Sequence, residues 1–169
     1  MGTICVLWKI MIIKPRHLLL LAVLLQNCAL LTTYNVFITP QEIINKAEML
    51  DEAEEYKKAA DQYEIAVEKE MKATPIDTLF IVTALDNAGW CYFSLENYTK
   101  ALEYYDRALS GGGLSISDTL TAEIFRHRGM VFDWMFKPQE ALTNFEGALE
   151  IFKKYNLEYK VSDILVEIG

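Results

Sequence analysis

The side chains able to do chemistry are few and lie far apart. The chain has two histidines, His17 and His127, and three cysteines. A serine or cysteine nucleophile needs a histidine beside it as general base. His17 lies in a greasy N-terminal leader, and His127 is flanked by Arg126 and Arg128. Two isolated histidines exclude a multi-histidine metal site. Cys91 adjoins Tyr92 and reads as a small buried hydrophobe. Gly111-Gly112-Gly113 lacks the Lys-Ser/Thr pair of a phosphate loop and has no strand before it, so it reads as a helix-ending turn. The carboxylate groups Asp51/Glu52/Glu54/Glu55 and Glu68/Glu70 fit a solvated helix face. No catalytic constellation emerges. The expectation is a chain that is not an enzyme and carries no metal or cofactor.

Composition narrows the partners. The 169 residues are 52% apolar and 24% charged, enough for the core of about one domain. An odd cysteine count is not a disulfide framework. A net charge of −8 and a pI of about 4.8 disfavour phosphate backbones, so nucleic acid is not expected as a partner.

The charge is unevenly spread. Residues 1–33 hold Lys9, Lys14 and Arg16 and no acid, which leaves the rest strongly acidic. Leu18 to Leu25 reads Leu-Leu-Leu-Leu-Ala-Val-Leu-Leu and extends to Leu31. As a helix, residues 18–31 would span about 21 Å, short of the roughly 30 Å hydrocarbon core. Lys14, Arg16 and His17 stand just before it. A basic stretch before a short apolar one is the layout of a secretory signal. Residues 1–33 are therefore expected to be a signal peptide or membrane anchor, with membrane contact through residues 18–31. The acidic body would then be membrane-anchored, secreted or periplasmic. Asn27-Cys28-Ala29 is a poor cleavage site, and Asn27 before Cys28 argues against lipidation, so an uncleaved anchor is favoured. The alternative is a leader helix packed on a cytoplasmic body. A start at Met11 gives a tidier signal than one at Met1.

The body repeats itself. Gly89 is followed by Tyr92 at +3, Ala101 at +12, Tyr105 at +16 and Ala108 at +19. Gly129 is followed at the same offsets by Phe132, Ala141, Phe145 and Ala148. An earlier copy has Ala47 in the glycine slot, then Leu50, Ala59, Tyr63 and Ala66. The period is 40–42 residues, and Gly169 falls 40 after Gly129. Small residues let two helices approach, and the aromatics fill the holes so made. Helices are expected at about 40–53, 56–72, 78–94, 98–110, 118–135, 138–154 and 159–168. Thr39 and Asn97 are expected to cap two of them, and Pro40 and Pro138 suit first-turn positions.

These slots resemble the tetratricopeptide repeat, a pair of antiparallel helices with a small residue, an Ala and an aromatic at set offsets. The resemblance covers about residues 40–169. The period exceeds the usual 34 residues and is similar to the long repeats of kinesin light chains and of the mitotic-spindle adaptor LGN. The inter-repeat turns should therefore be enlarged. Arg128 stands where a small or apolar residue is usual. The implied fold is all-α: a right-handed superhelix spanning residues 34–169. Its repeats fall at about 40–73, 82–115 and 122–155, with the first helix of a fourth at 159–169.

The resemblance also implies a concave groove lined by the first helix of each repeat, where a partner peptide lies. Its slots hold Gln41, Ile44, Asn45, Glu48, Asp51 and Glu52 in the first repeat. In the second they hold Asp86, Asn87, Trp90 and Phe93, with Asn87 where such repeats hold peptide backbone. In the third they hold Glu123, Arg126, His127, Met130, Asp133 and Trp134. Ile44 and Glu48 replace the Lys and Asn with which chaperone-type repeats clamp a C-terminal carboxylate. The acidic surplus favours a basic or amphipathic peptide. The expected function is a protein-interaction adaptor or scaffold. The alternatives are a truncated sensory or regulatory segment of a larger signalling protein, and a structural spacer that stacks with its own copies.

Overall fold

The computed structural model describes residues 38–111 and 117–168. Thr39–Gly169 forms a compact unit of its own. The expected leader, residues 1–33, lies outside the described residues. Among the described residues, no helix is long and apolar enough to cross a membrane.

Seven helices and no strand make up the described residues: α1 (Pro40–Glu52), α2 (Tyr56–Glu70), α3 (Thr78–Ser94), α4 (Tyr98–Leu109), α5 (Asp118–Trp134), α6 (Pro138–Lys154) and α7 (Glu158–Ile168). Each packs on the next in chain order. The starts are fixed locally. Thr39 and Glu42 form a reciprocal capping box, with Pro40 in the first turn of α1. Asp77, Asn97 and Ser117 accept hydrogen bonds from the backbone N–H groups of Phe80, Lys100 and Leu120 at the starts of α3, α4 and α5.

Four helix ends share one geometry. Glu54, Glu96, Phe136 and Asn156 lie in the left-handed region, at φ 58°, 57°, 56° and 55°. In each turn that residue's N–H and the next one's reach back to two carbonyls of the last helical turn. Glu96 and Asn97, for example, donate to Phe93 and Tyr92. This is the Schellman arrangement, which satisfies carbonyls that would otherwise be orphaned. Glycine is the usual residue at that point, and none of the four is glycine.

The extra length of the repeats is placed in two ways. Residues 71–77 form an enlarged turn between helix pairs, as the long period implies, and eight residues of sequence lie between the end of α4 and the start of α5. After the third pair the turn is short, residues 155–157. There the surplus lies in α6, which has 17 residues against 12 in α4.

The core is built from the repeating slots. Ala47, Ala59, Tyr63, Ala66, Ala101, Tyr105, Ala108, Ala141, Phe145 and Ala148 are buried, with Tyr105 wholly so. A Cβ added to Gly89 would stand 2.6 Å from the Tyr105 ring, and one on Gly129 2.5 Å from Phe145. The ring of each second helix therefore lies on the bare backbone of the first. Tyr92 is buried and stacks on Tyr104 at 5.2 Å. Its counterpart Phe132 is only half-buried and lies near the cations of Arg128 and Lys137. Arg128 is accommodated because its guanidinium reaches Asp106 of α4, at 3.2 Å. Ile164 of α7 completes the last core layer with Ala122, Phe145 and Phe152.

Arg107 of α4 grips Glu64 of α2 with two hydrogen bonds, 2.9 and 2.8 Å, tying consecutive repeats together. Those bonds hold the Glu64 carboxyl below the usual range.

Gly89→Ala and Gly129→Ala should each destabilise the fold by about 1–3 kcal/mol through overpacking. Gly147→Ala should stabilise it by about 1 kcal/mol, because its Cβ meets Phe125 at only 3.4 Å and alanine favours the helix. Urea denaturation of the three variants checks both signs. A second expectation concerns acid. Glu64 has its pKa lowered by folding, so its contribution is present above the unfolded pKa and is lost as pH falls through the folded one. Glu64→Gln should therefore cost about 0.5–1 kcal/mol at pH 7, the pair being part-exposed. The difference from wild type should vanish below about pH 4, as read by urea denaturation across pH.

Candidate functional site

The inner faces of α3, α5 and α7 converge. Their residues come from one slot series, so side chains one period apart in sequence meet across the repeats. Trp90 and Phe93 of α3 touch each other with ring centroids 5.4 Å apart. Phe93 meets Trp134 of α5 edge-on at 6.2 Å. Trp90 is 37% exposed and Trp134 61%. Packing of the helix pairs thus leaves both tryptophans open to solvent.

A polar network runs beside this cluster. Asp86 is 92% withdrawn from solvent, at 8% exposure, and lies 2.8 Å from His127 Nδ1. Arg126 Nη2 lies 2.9 Å from His127 Nε2. A guanidinium can only donate, so Nε2 accepts and Nδ1 carries the proton that is donated to Asp86. The imidazole is held between the rings of Trp90 and Tyr105, each 5.8 Å away. Arg126 also donates to Glu123 at 3.3 Å and to Glu167 at 3.1 Å, and contacts Met130 Sδ at 3.4 Å. Lys160 pairs with Glu123 as well. Burial raises the pKa of Glu167 in spite of Arg126. A cleft of about 330 Å³ opens here, lined by Arg126, Lys160, Asp163, Val166 and Glu167.

Most of the groove residues expected from sequence in the second and third repeats are brought together: Asp86, Trp90, Phe93, Arg126, His127, Met130 and Trp134. Asp133 is exposed just before Trp134. Asn87 is half-buried and faces the Tyr63 hydroxyl of α2, so part of its hydrogen bonding is spent inside the fold. The first repeat departs from the expected lining. Ile44 is buried. Gln41 and Asn45 bond each other at 2.9 Å. Asp51 accepts a long contact from the buried Cys91 thiol, 3.7 Å. Burial raises the pKa of Asp51 and pushes that of the thiol up to about 12, which leaves Cys91 a poor nucleophile.

The slot reading passed over Lys160 and the fourth-repeat residues Asp163, Val166 and Glu167. A signal was available for three of them. With Gly169 in the glycine slot, they stand where Thr83, Asp86 and Asn87 stand in the second repeat.

Among the described residues, no three His, Cys, Asp or Glu side chains are placed to hold a metal ion. The constellation is a surface, with open aromatic rings beside a fixed set of charges.

The family profile described as tetratricopeptide repeat matches residues 82–110, which are most of α3, its turn and α4. Residues 82–110 are a tetratricopeptide repeat. The helix pairs α1–α2 and α5–α6 carry the same slots and the same turn geometry. Among solved structures, BtubC (BKLC) from P. vanneervenii is similar, with a TM-score of 0.64 and 20% identity. The match covers 73% of this chain and 50% of that one, so the chain accounts for half the length of that structure. At that identity the likeness shows the fold. No curated protein matches the chain. Tetratricopeptide repeats are in general protein-interaction modules. Repeats of this kind are typically non-catalytic.

The network should carry stability rather than affinity. Asp86→Ala strands the half-buried His127 N–H and should cost about 1–3 kcal/mol. Tyr105 has a wholly buried hydroxyl with no hydrogen-bond partner among the described residues, and Phe145 fills the same slot one repeat on. Tyr105→Phe should therefore be neutral or slightly stabilising. Thermal and urea melts of the two variants give opposite outcomes if the network is assigned correctly.

Proposed function

We propose that the chain is an adaptor that captures a basic or amphipathic segment of another protein in the concave groove, with Trp90, Phe93 and Trp134 as anchors. The observation that carries this reading is the cluster itself. Three large aromatic rings touch across two repeats, and two of them stay open to solvent though burial would favour covering them. Tryptophans beside charged groups are the residue types that dominate binding energy at interfaces. The charge of the guest follows from the host. Arg126 and Lys160 are already paired with Glu123 and Glu167, whereas Glu48, Glu52 and Asp133 have no ion-pair partner among the described residues. Asp133 beside the open Trp134, with further unpaired acids in the first-repeat slots, favours cations flanking an apolar anchor.

The basic, apolar character of residues 1–33 supports a body tethered to or exported across a membrane, so capture belongs in the membrane and exported fractions of the native host. The double substitution Trp90→Ala with Trp134→Ala should abolish capture of the partner that wild-type protein retains. The helical circular dichroism should stay unchanged, because neither ring is in the core. Capture that survives both substitutions would remove the groove from the account.

A further inference from the structure

The turn between α5 and α6 carries an aromatic where its counterparts carry acids. Glu54, Glu96 and Phe136 occupy equivalent places after the first helix of each pair, all in the left-handed region. That conformation is unfavourable for any side chain, most of all a bulky one. Phe136 is 93% exposed, so burial offsets none of the cost in the free chain. The Schellman bonds of the turn impose that conformation but do not call for a phenylalanine, so the exposed ring points to a use elsewhere.

Its surroundings describe that use. Trp134 stands two residues before it and is 61% exposed. The contact of Trp134 with Phe93 brings the C-terminal ends of α3 and α5 side by side. Leu95, one residue past α3, is 42% exposed. Leu95, Trp134 and Phe136 therefore share the edge of the solenoid where the α3–α4 and α5–α6 turns lie. Glu96 and Asp133 are exposed on the same edge, with no ion-pair partner among the described residues. Lys137, the cation of this turn, lies over the Phe132 ring.

We propose that this edge docks an amphipathic helix of a partner protein, with lysines or arginines flanking its apolar stripe and Phe136 as the anchor. Charge complementarity selects the cations, because the apolar patch is bordered by unpaired carboxylates. The backbone selects the helix. An extended peptide needs main-chain partners, and the helix ends on this edge have already spent their turn N–H groups in Schellman bonds. A helix brings its own hydrogen bonds and offers only side chains. The edge shares Trp134 and Asp133 with the groove and rests on that reading for the class of guest, but its anchor, Phe136, lies on the turn outside the groove slots.

The test uses the full chain and isothermal titration with an 18-residue synthetic helix bearing a leucine stripe flanked by lysines. Controls are its glutamate counterpart and phosphatidylcholine vesicles. The lysine helix should bind, with a Kd that rises with salt. Phe136→Gly should weaken it at least tenfold while raising the thermal midpoint, because glycine removes the anchor and the backbone strain together. Phe136→Asn should weaken binding to a similar degree. Trp90→Ala, a groove variant, should leave the Kd within twofold. The proposal is overturned if Phe136→Gly leaves the Kd within twofold, or if the glutamate helix binds equally well. It is also overturned if vesicles take up the protein in preference to the helix, or if sedimentation shows a self-association that Phe136→Gly removes. Loss with Trp90→Ala but not with Phe136→Gly would return the peptide to the groove, overturning the edge and leaving the groove intact.

Discussion

The contact of an aromatic ring with a bare glycine backbone sets the geometry of everything else. Tyr105 lies on Gly89, and Phe145 lies on Gly129, at distances that leave no room for a methyl group. That closeness fixes how near the two helices of a pair run and how they are rotated. It therefore also fixes which side of the first helix faces inward. The groove side chains are the complement of the packing side chains on the same helix. A small change in the lock would turn Trp90 and Asp86 away from His127 and Trp134. Site and core are in this sense one object, and the precision of the site derives from close packing rather than from loops.

The polar ties follow the same period. Glu64 and Arg107, Asp51 and Cys91, Asp86 and His127, and Arg126 and Glu167 all join residues 40–43 apart. In a solenoid each repeat meets only its neighbours, so a separation near one period brings equivalent slots of adjacent repeats together. These ties do different work according to burial. The Arg107–Glu64 fork is part-exposed and mainly holds the repeats in register. The Asp86–His127–Arg126 chain is more enclosed, and every member constrains the next. It presents the aromatic cluster on a rigid floor, which spares a partner the entropy of ordering it.

Much of this was legible in the sequence. Helix starts were, because caps such as Thr39 and Asn97 act on backbone groups only three residues away. So was the meeting of Trp90, Phe93, Asp86, His127 and Trp134, because equal slots in successive repeats point the same way. Three features were not. Ile44 occupies a groove slot yet is buried, a difference that the slot series does not encode. The surplus residues of the third repeat lengthen α6 instead of the following turn, a choice that spacing alone does not determine. The left-handed turn residues carry side chains that argue against that conformation. Turn geometry is imposed there by the two helices it joins, and a Glu or Phe is forced to comply.

The groove changes character along the solenoid, and that gradient constrains any partner. At the first repeat its free groups are acids, Glu48 and Glu52. At the second and third they are aromatic rings. Between α5 and α7 they are cations already neutralised by Glu123 and Glu167. A segment lying across all three regions meets negative charge first, then apolar surface, then a region offering little net charge. A uniformly basic chain would waste its cations at the far end, and a uniformly apolar one would leave the carboxylates at the first repeat desolvated without partners. Under the proposed reading, the guest that fits has its charge concentrated at one end, and the groove would select an orientation of its guest as well as a class of guest.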